Sequence, residues 1–336
     1  MKFYKLMFVF SLMIGSLISI SSLSWMGMWM GLEINLLSII PLMNSNKNLF
    51  SSEASLKYFI TQALASTILL FAIILMSNSL IMVNTIKSNL VLILNSALLT
   101  KMGAAPFHFW FPEVMEGLSW MNSMTLLTWQ KIAPMIILMY NMNFPSFFFM
   151  IIILSMLISG IMGFNQTSIR KILAYSSINH IGWMISSMFL FETTWLYYFL
   201  IYSLISLNIV LIFNLLNIFY MKQLFNSMNN NFSIKFFFVF NFLSLGGLPP
   251  FIGFLPKWLT IENLIQSKFF LLTFSMILLT LLTLFYYVRL MFSALVMNMS
   301  ETNYLMNYKF NQFWTLTSNF VSIIGFLTCT VLFNFI

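Results

Sequence analysis

Long apolar runs, separated by short polar links, cover nearly the whole chain. Runs of about 20 apolar residues match the thickness of a hydrocarbon core. They predict eleven helical spans, near 4–23, 25–43, 54–76, 88–111, 119–140, 146–164, 171–190, 194–219, 236–265, 269–297 and 314–335. The links are rich in Asn, Ser and Lys, and none is long enough for a soluble domain. Trp25, Trp110, Trp120, Trp195 and Trp314 fall near predicted ends, as interfacial tryptophans do. The predicted class is an all-α polytopic membrane protein, one membrane domain over 1–336.

The pattern is interrupted twice. Leu98 to Pro112 holds Lys101 inside an apolar run, then breaks its own helix with Gly103 and Pro106. Proline lacks an N–H and its ring clashes with the carbonyl one turn back. In lipid such a break survives only where protein or a wet cavity satisfies the freed carbonyls. The same spacing of Gly, Pro-Phe and Pro returns 144 residues later, as Gly247, Pro250-Phe251 and Pro256, with Pro249 adjoining. The first five spans shifted by 144 land close to spans six to ten. Chance matches in a biased sequence are the alternative, and they do not account for the shift of the whole span pattern. Five spans per unit is odd, so the second unit, 146–298, would sit inverted relative to the first, 4–140, with 314–335 outside both. Inverted repeats with paired broken helices are a transporter architecture.

Charge sharpens this picture. Only 7% of the 336 residues are charged, against about 25% in soluble domains. With eleven spans, ten basic residues (Lys2, Lys5, Lys47, Lys57, Arg170, Lys171, Lys222, Lys235, Arg289, Lys309) fall on the N-terminal side. Lys87 and Lys268 alone fall opposite. By the positive-inside rule the N-terminus faces the matrix or cytoplasm, and the C-terminus the other side. The basic residues form no stripe, so the +8 net charge gives no case for nucleic acid. One cysteine and two histidines exclude a disulfide framework and a cysteine-ligated iron–sulfur cluster.

Four ionisable residues lie well inside spans: Glu33, Lys101, Lys131 and Lys257. A lysine at the bilayer centre costs about 2.5–3.5 kcal/mol on insertion scales, so it is functional by default. All three buried cations are lysine, and both arginines sit near helix ends. Arginine keeps its proton in a protein, whereas a desolvated lysine can release it. A row of buried lysines can therefore hold and pass protons, with Glu33 against Lys101 as an adjustable pair. Static salt bridges or snorkelling are the alternative for any one of them. Three lysines and one glutamate cannot fully neutralise each other. His180 lies mid-span and reads equally as a proton relay or a hydrogen-bonded structural residue. His108 reads as structural before proton entry, and Glu113 and Glu116 as solvated loop residues. Pro134 is expected to kink span five.

Several strings carry a resemblance. They include Trp29-Met30-Gly31-Leu32-Glu33-Ile34-Asn35, Glu53 to Phe59, Gly103 to Trp110, Leu127 to Pro134, Leu173 to His180 and Leu245 to Phe251. On these the chain resembles the antiporter-like membrane subunits of respiratory complex I, in the animal mitochondrial form that lacks the first three of fourteen spans. The resemblance covers essentially the whole chain. It implies that the family's proton-path glutamate and three lysines fall on Glu33, Lys101, Lys131 and Lys257. It implies a proton-translocating subunit of the mitochondrial inner membrane. Its partners would be other membrane and accessory subunits and phospholipids, cardiolipin being a candidate, rather than further copies of itself. NADH, FMN, iron–sulfur clusters and ubiquinone would be handled by other subunits, leaving no cofactor in this chain. A stand-alone cation/proton antiporter and a non-transporting membrane scaffold are the competing readings.

Overall fold

The computed structural model describes residues 3–44, 48–77, 84–189, 191–228, 232–249 and 251–296, with Thr317, Asn319, Phe320 and Gly325. The helix predicted over 314–335 lies outside the described residues apart from those last four, and Pro250 also lies outside them. The named elements are all helices. They are α1 (Phe3–Ser21), α2 (Trp25–Met43), α3 (Leu49–Ser77), α4 (Asn84–Met102), α5 (Trp110–Gly117), α6 (Trp120–Leu127), α7 (Trp129–Met139), α8 (Pro145–Phe164), α9 (Ile169–Met188), α10 (Glu192–Leu216), α11 (Met221–Met228), α12 (Phe232–Gly246), α13 (Phe254–Gln266) and α14 (Phe270–Val296). The chain divides into two compact units, Met1–Ile151 and Ile152–Ile336.

In the first unit, α1 runs along α2, and the two meet almost backbone to backbone at Gly15 and Gly31. Ser24 caps α2 by accepting from the Gly27 N–H, which satisfies one of the donors that a helix start leaves open. The long α3 packs on α2, α4 and α5, and α7 lies against α1, α2 and α4. In the second unit α9 is central. Every residue from Ile172 to Met188 is buried, although the segment includes Ser176, Ser177, Asn179 and His180. Helices α10, α13 and α14 pack around it.

By length and apolarity, six described helices could cross a membrane: Phe3–Ser21, Trp25–Met43, Leu49–Ser77, Pro145–Phe164, Glu192–Leu216 and Phe270–Phe292. Two of the other predicted spans carry a break. Span 88–111 stops at Met102, and span 236–265 stops at Gly246 and restarts at Phe254. Span 119–140 is two helices, divided at Thr128 rather than at Pro134, which sits inside α7. Pro134 removes one N–H, but it does not end the helix.

One local expectation changes. Glu113 and Glu116 belong to helix α5, not to a loop. Trp110, Trp120 and Trp195 are buried within the protein.

Candidate functional site

Each break ends its helix in the same way. At the first, Gly103 adopts φ +76°; its N–H reaches the carbonyls of Leu99 (3.0 Å) and Thr100 (3.2 Å), and the Ala104 N–H also reaches Leu99 (3.1 Å). At the second, Gly247 adopts φ +73°; its N–H reaches Leu243 (3.1 Å) and Ser244 (3.0 Å), and the Leu248 N–H reaches Leu243 (3.3 Å). This is a left-handed glycine C-cap, and glycine is favoured because a side chain at positive φ is strained. The Ala105–Pro106 peptide is cis.

The remaining carbonyls at each end find donors, as a break inside a membrane requires. In the first unit, Trp110 Nε1 donates to the Thr100 carbonyl (3.0 Å) and Gln62 Nε2 to the Lys101 carbonyl (3.3 Å). In the second, Lys257 Nζ donates to the carbonyls of Gly246 (2.8 Å) and Leu245 (3.3 Å). The lysines thus sit on opposite sides of their breaks. Lys101 ends the helix before the turn, and Lys257 starts the helix after it. By the 144-residue offset, Leu245 stands where Lys101 is and Glu113 where Lys257 is.

All three lysines are buried: Lys101 is 7% exposed, Lys131 1% and Lys257 7%. Lys131 Nζ lies 5.8 Å from the centre of the Phe111 ring, and Lys257 Nζ 5.9 Å from the centre of the Trp183 ring. An aromatic face attracts a cation within about 6 Å of its centroid. Lys257 gains further from its place at the C-terminal, electronegative end of α12.

Glu33 is half-buried on α2, and its Oε2 has no hydrogen-bond partner among the described residues. No ion pair joins Glu33 to Lys101 among those residues, although the carboxylate's field reaches the lysine. Their expected pairing is therefore a through-space coupling in this conformation. The ion pairs seen are peripheral: Lys57 Nζ lies 2.9 Å from Glu53 Oε1 and 2.9 Å from Glu113 Oε2, tying α5 to α3.

His180 Nδ1 lies 2.9 Å from the Tyr198 hydroxyl, and its ring packs 4.9 Å from Tyr202. One turn further along α9 is Trp183, the residue under Lys257. His108 is buried beside the first break, with Nδ1 3.3 Å from the Pro106 carbonyl.

Sequence reasoning passed over a set of buried polar partners. Gln130 Nε2 donates to Asn35 Oδ1 (2.8 Å), and the Tyr58 hydroxyl donates to Gln130 Oε1 (3.4 Å). Asn179 Nδ2 donates to Thr283 Oγ1 (3.4 Å), and Asn241 Nδ2 to Asn319 Oδ1 (2.6 Å). An amide inside an apolar span is itself a signal, because its groups need partners there. Asn35, Gln62 and Gln130 all carried that signal.

The model of the family described as NADH:quinone oxidoreductase/Mrp antiporter, TM, matches residues 22–283. NADH-ubiquinone oxidoreductase chain 2 of Anopheles gambiae is 53% identical over 335 residues, covering 97% of both chains. The chain belongs to the NADH-ubiquinone oxidoreductase chain 2 family. Its fold resembles a chain of respiratory complex I from Thermus thermophilus, with a TM-score of 0.87 and 22% identity, over 98% of this chain and 80% of that one. It also resembles a chain of the Mrp complex from Dietzia sp., with a TM-score of 0.74 and 17% identity, over 85% of this chain and 59% of that one.

Proposed function

We propose that this chain 2 protein is a proton-translocating membrane subunit of respiratory complex I. The observation that carries the reading is the near-complete burial of Lys101, Lys131 and Lys257 in a chain whose relatives are named as subunits of that enzyme. Ionisable side chains inside a membrane are expensive and mark ion pathways and proton relays. Glu33 acts on Lys101 through space, Lys131 is the middle relay and Lys257 the far site. His180 adjoins the Lys257 region through Trp183 and is the candidate relay there. The inverted five-helix repeat, with 314–335 outside it, belongs to this reading.

The energy comes from redox chemistry elsewhere. NADH, FMN, iron–sulfur clusters and ubiquinone are handled by other subunits, which with accessory subunits and phospholipids are the partners; cardiolipin is one candidate lipid. The site is the mitochondrial inner membrane, with the N-terminus in the matrix and the C-terminus in the intermembrane space.

The test is Lys131→Met in the intact complex. Coupled turnover and proton pumping should fall while NADH oxidation by artificial acceptors continues. Unchanged pumping would remove Lys131 from the path. The likeness to an Mrp chain keeps one rival reading open, a stand-alone cation/proton antiporter, which predicts ion exchange by the isolated protein in liposomes.

A further inference from the structure

We infer that Gln130 is a positioning residue for the lysine row: its amide locks the helix that bears Lys131 to the helix that bears Glu33. The inference rests on the proton-path reading and adds to it a residue that neither gains nor loses a proton. Helix α7 starts at Trp129, directly after the break at Thr128, so Gln130 and Lys131 lie in its first turn with no continuous helix behind them. The Lys131 N–H reaches back to the Thr128 carbonyl, at 3.3 Å. Four residues on is Pro134, which has no N–H to offer the Gln130 carbonyl. At such a turn, side-chain bonds add to what the backbone holds.

Gln130 does so with both ends of its amide. Nε2 donates to Asn35 Oδ1 at 2.8 Å, and Oε1 accepts from the Tyr58 hydroxyl at 3.4 Å. All three side chains are buried, at 9% exposure for Gln130 and 3% each for Asn35 and Tyr58. Asn35 lies two residues after Glu33 on α2. Tyr58 lies one turn before Gln62 on α3, and Gln62 holds the Lys101 carbonyl. The bonds thus run from the helix of Glu33, through the residue beside Lys131, to the helix that grips the end of α4 at Lys101. In a medium of low polarity such bonds are strong, and an unpaired member is costly. An amide fills its donor and acceptor roles at once and does not titrate, so this chain is a clamp and not a proton wire.

The test uses the intact complex carrying Gln130→Leu, Asn35→Leu, both together, Tyr58→Phe, and Lys131→Met as control. The readouts are protons pumped per NADH, and the content of assembled complex. Gln130→Leu should lower protons per NADH below the wild-type ratio at normal assembly. Tyr58→Phe, which removes one oxygen, should lower the ratio in the same direction by less. The double Asn35/Gln130 variant should be no worse than Gln130→Leu alone, because Asn35→Leu removes a bond that Gln130→Leu already breaks. A wild-type ratio in Gln130→Leu, or single losses that multiply in the double variant, overturns the clamp. If Gln130→Leu fails to assemble, Tyr58→Phe decides: a wild-type ratio there overturns the clamp. Lys131→Met separates the two readings. Full pumping in that variant removes the proton path itself, whereas loss there with no effect at Gln130 removes only the clamp.

Discussion

Lys257 Nζ donates to the Gly246 carbonyl at 2.8 Å, so the ammonium of the far lysine is also the plug of a broken helix. Lys101 has no such duty, because Gln62 and Trp110 take the carbonyls at its own break. The same substitution should therefore have different consequences at the two sites. Lys101→Met should lose pumping with the complex fully assembled. Lys257→Met should lose pumping and also stability, by about 1–3 kcal/mol for a buried acceptor left unpaired. Thermal inactivation of the two purified complexes checks the contrast. Equal stability would show that another donor, such as water, serves the α12 carbonyls.

The two glycines should separate along the same line. Both sit at positive φ, so alanine costs about 1–2 kcal/mol at either from backbone strain alone. At Gly247 the added carbon would also meet Lys257, with Cδ at 2.7 Å and Nζ at 2.8 Å, whereas at Gly103 it would meet the Phe111 side chain, nearest at 3.2 Å. Gly247→Ala should displace the lysine and reduce pumping more than Gly103→Ala does. Proton pumping per NADH in the two variants, at matched assembly, decides it; equal losses would mean that strain alone matters.

Much of this was legible before any coordinates. Helix class follows from apolar run length, and the breaks follow from glycine and proline at matching spacing. Glu33, Lys101, Lys131 and Lys257 stand out because charge is rare in the spans. What stayed hidden depends on packing between distant segments. Nothing local in Leu127 to Pro134 says that the helix parts at Thr128 and runs on through Pro134. Gln130 and Asn35 are 95 residues apart, and only the packed unit makes them partners. Trp110 sits near the edge of an apolar run, and only the packed unit shows that its indole N–H donates to a carbonyl of the broken helix. Glu113 is solvent-exposed as its surroundings in the sequence suggest, and helix α5 carries it to Lys57.

Glu33 should act through its charge rather than through a bond. Its Oε2 has no hydrogen-bond partner among the described residues, and no ion pair joins it to Lys101. Glu33→Gln preserves shape and removes the field, so pumping should fall while assembly and peripheral NADH oxidation persist. Glu33→Asp keeps the charge on a shorter arm and should retain more pumping than Gln does. If Asp and Gln behave alike, a contact that needs the full length of the side chain matters, and the through-space account of Lys101 is wrong.

His180 poses the last choice, between titration and fit. Its ring is 4% exposed, bonded to the Tyr198 hydroxyl at 2.9 Å and packed against Tyr202. Glutamine can keep a hydrogen bond to Tyr198 but cannot take up a proton. Tyr198→Phe removes the bond and leaves the imidazole able to titrate. If His180 works by fit, His180→Gln should hold pumping within about twofold, the scale of a single retained hydrogen bond, and Tyr198→Phe should do comparable harm. If His180 relays protons to the Lys257 region, His180→Gln should abolish pumping at normal assembly, and Tyr198→Phe should be much milder. Steady-state pumping of the two variants, each normalised to assembled complex, distinguishes them, because only a relay makes the glutamine variant the worse of the pair.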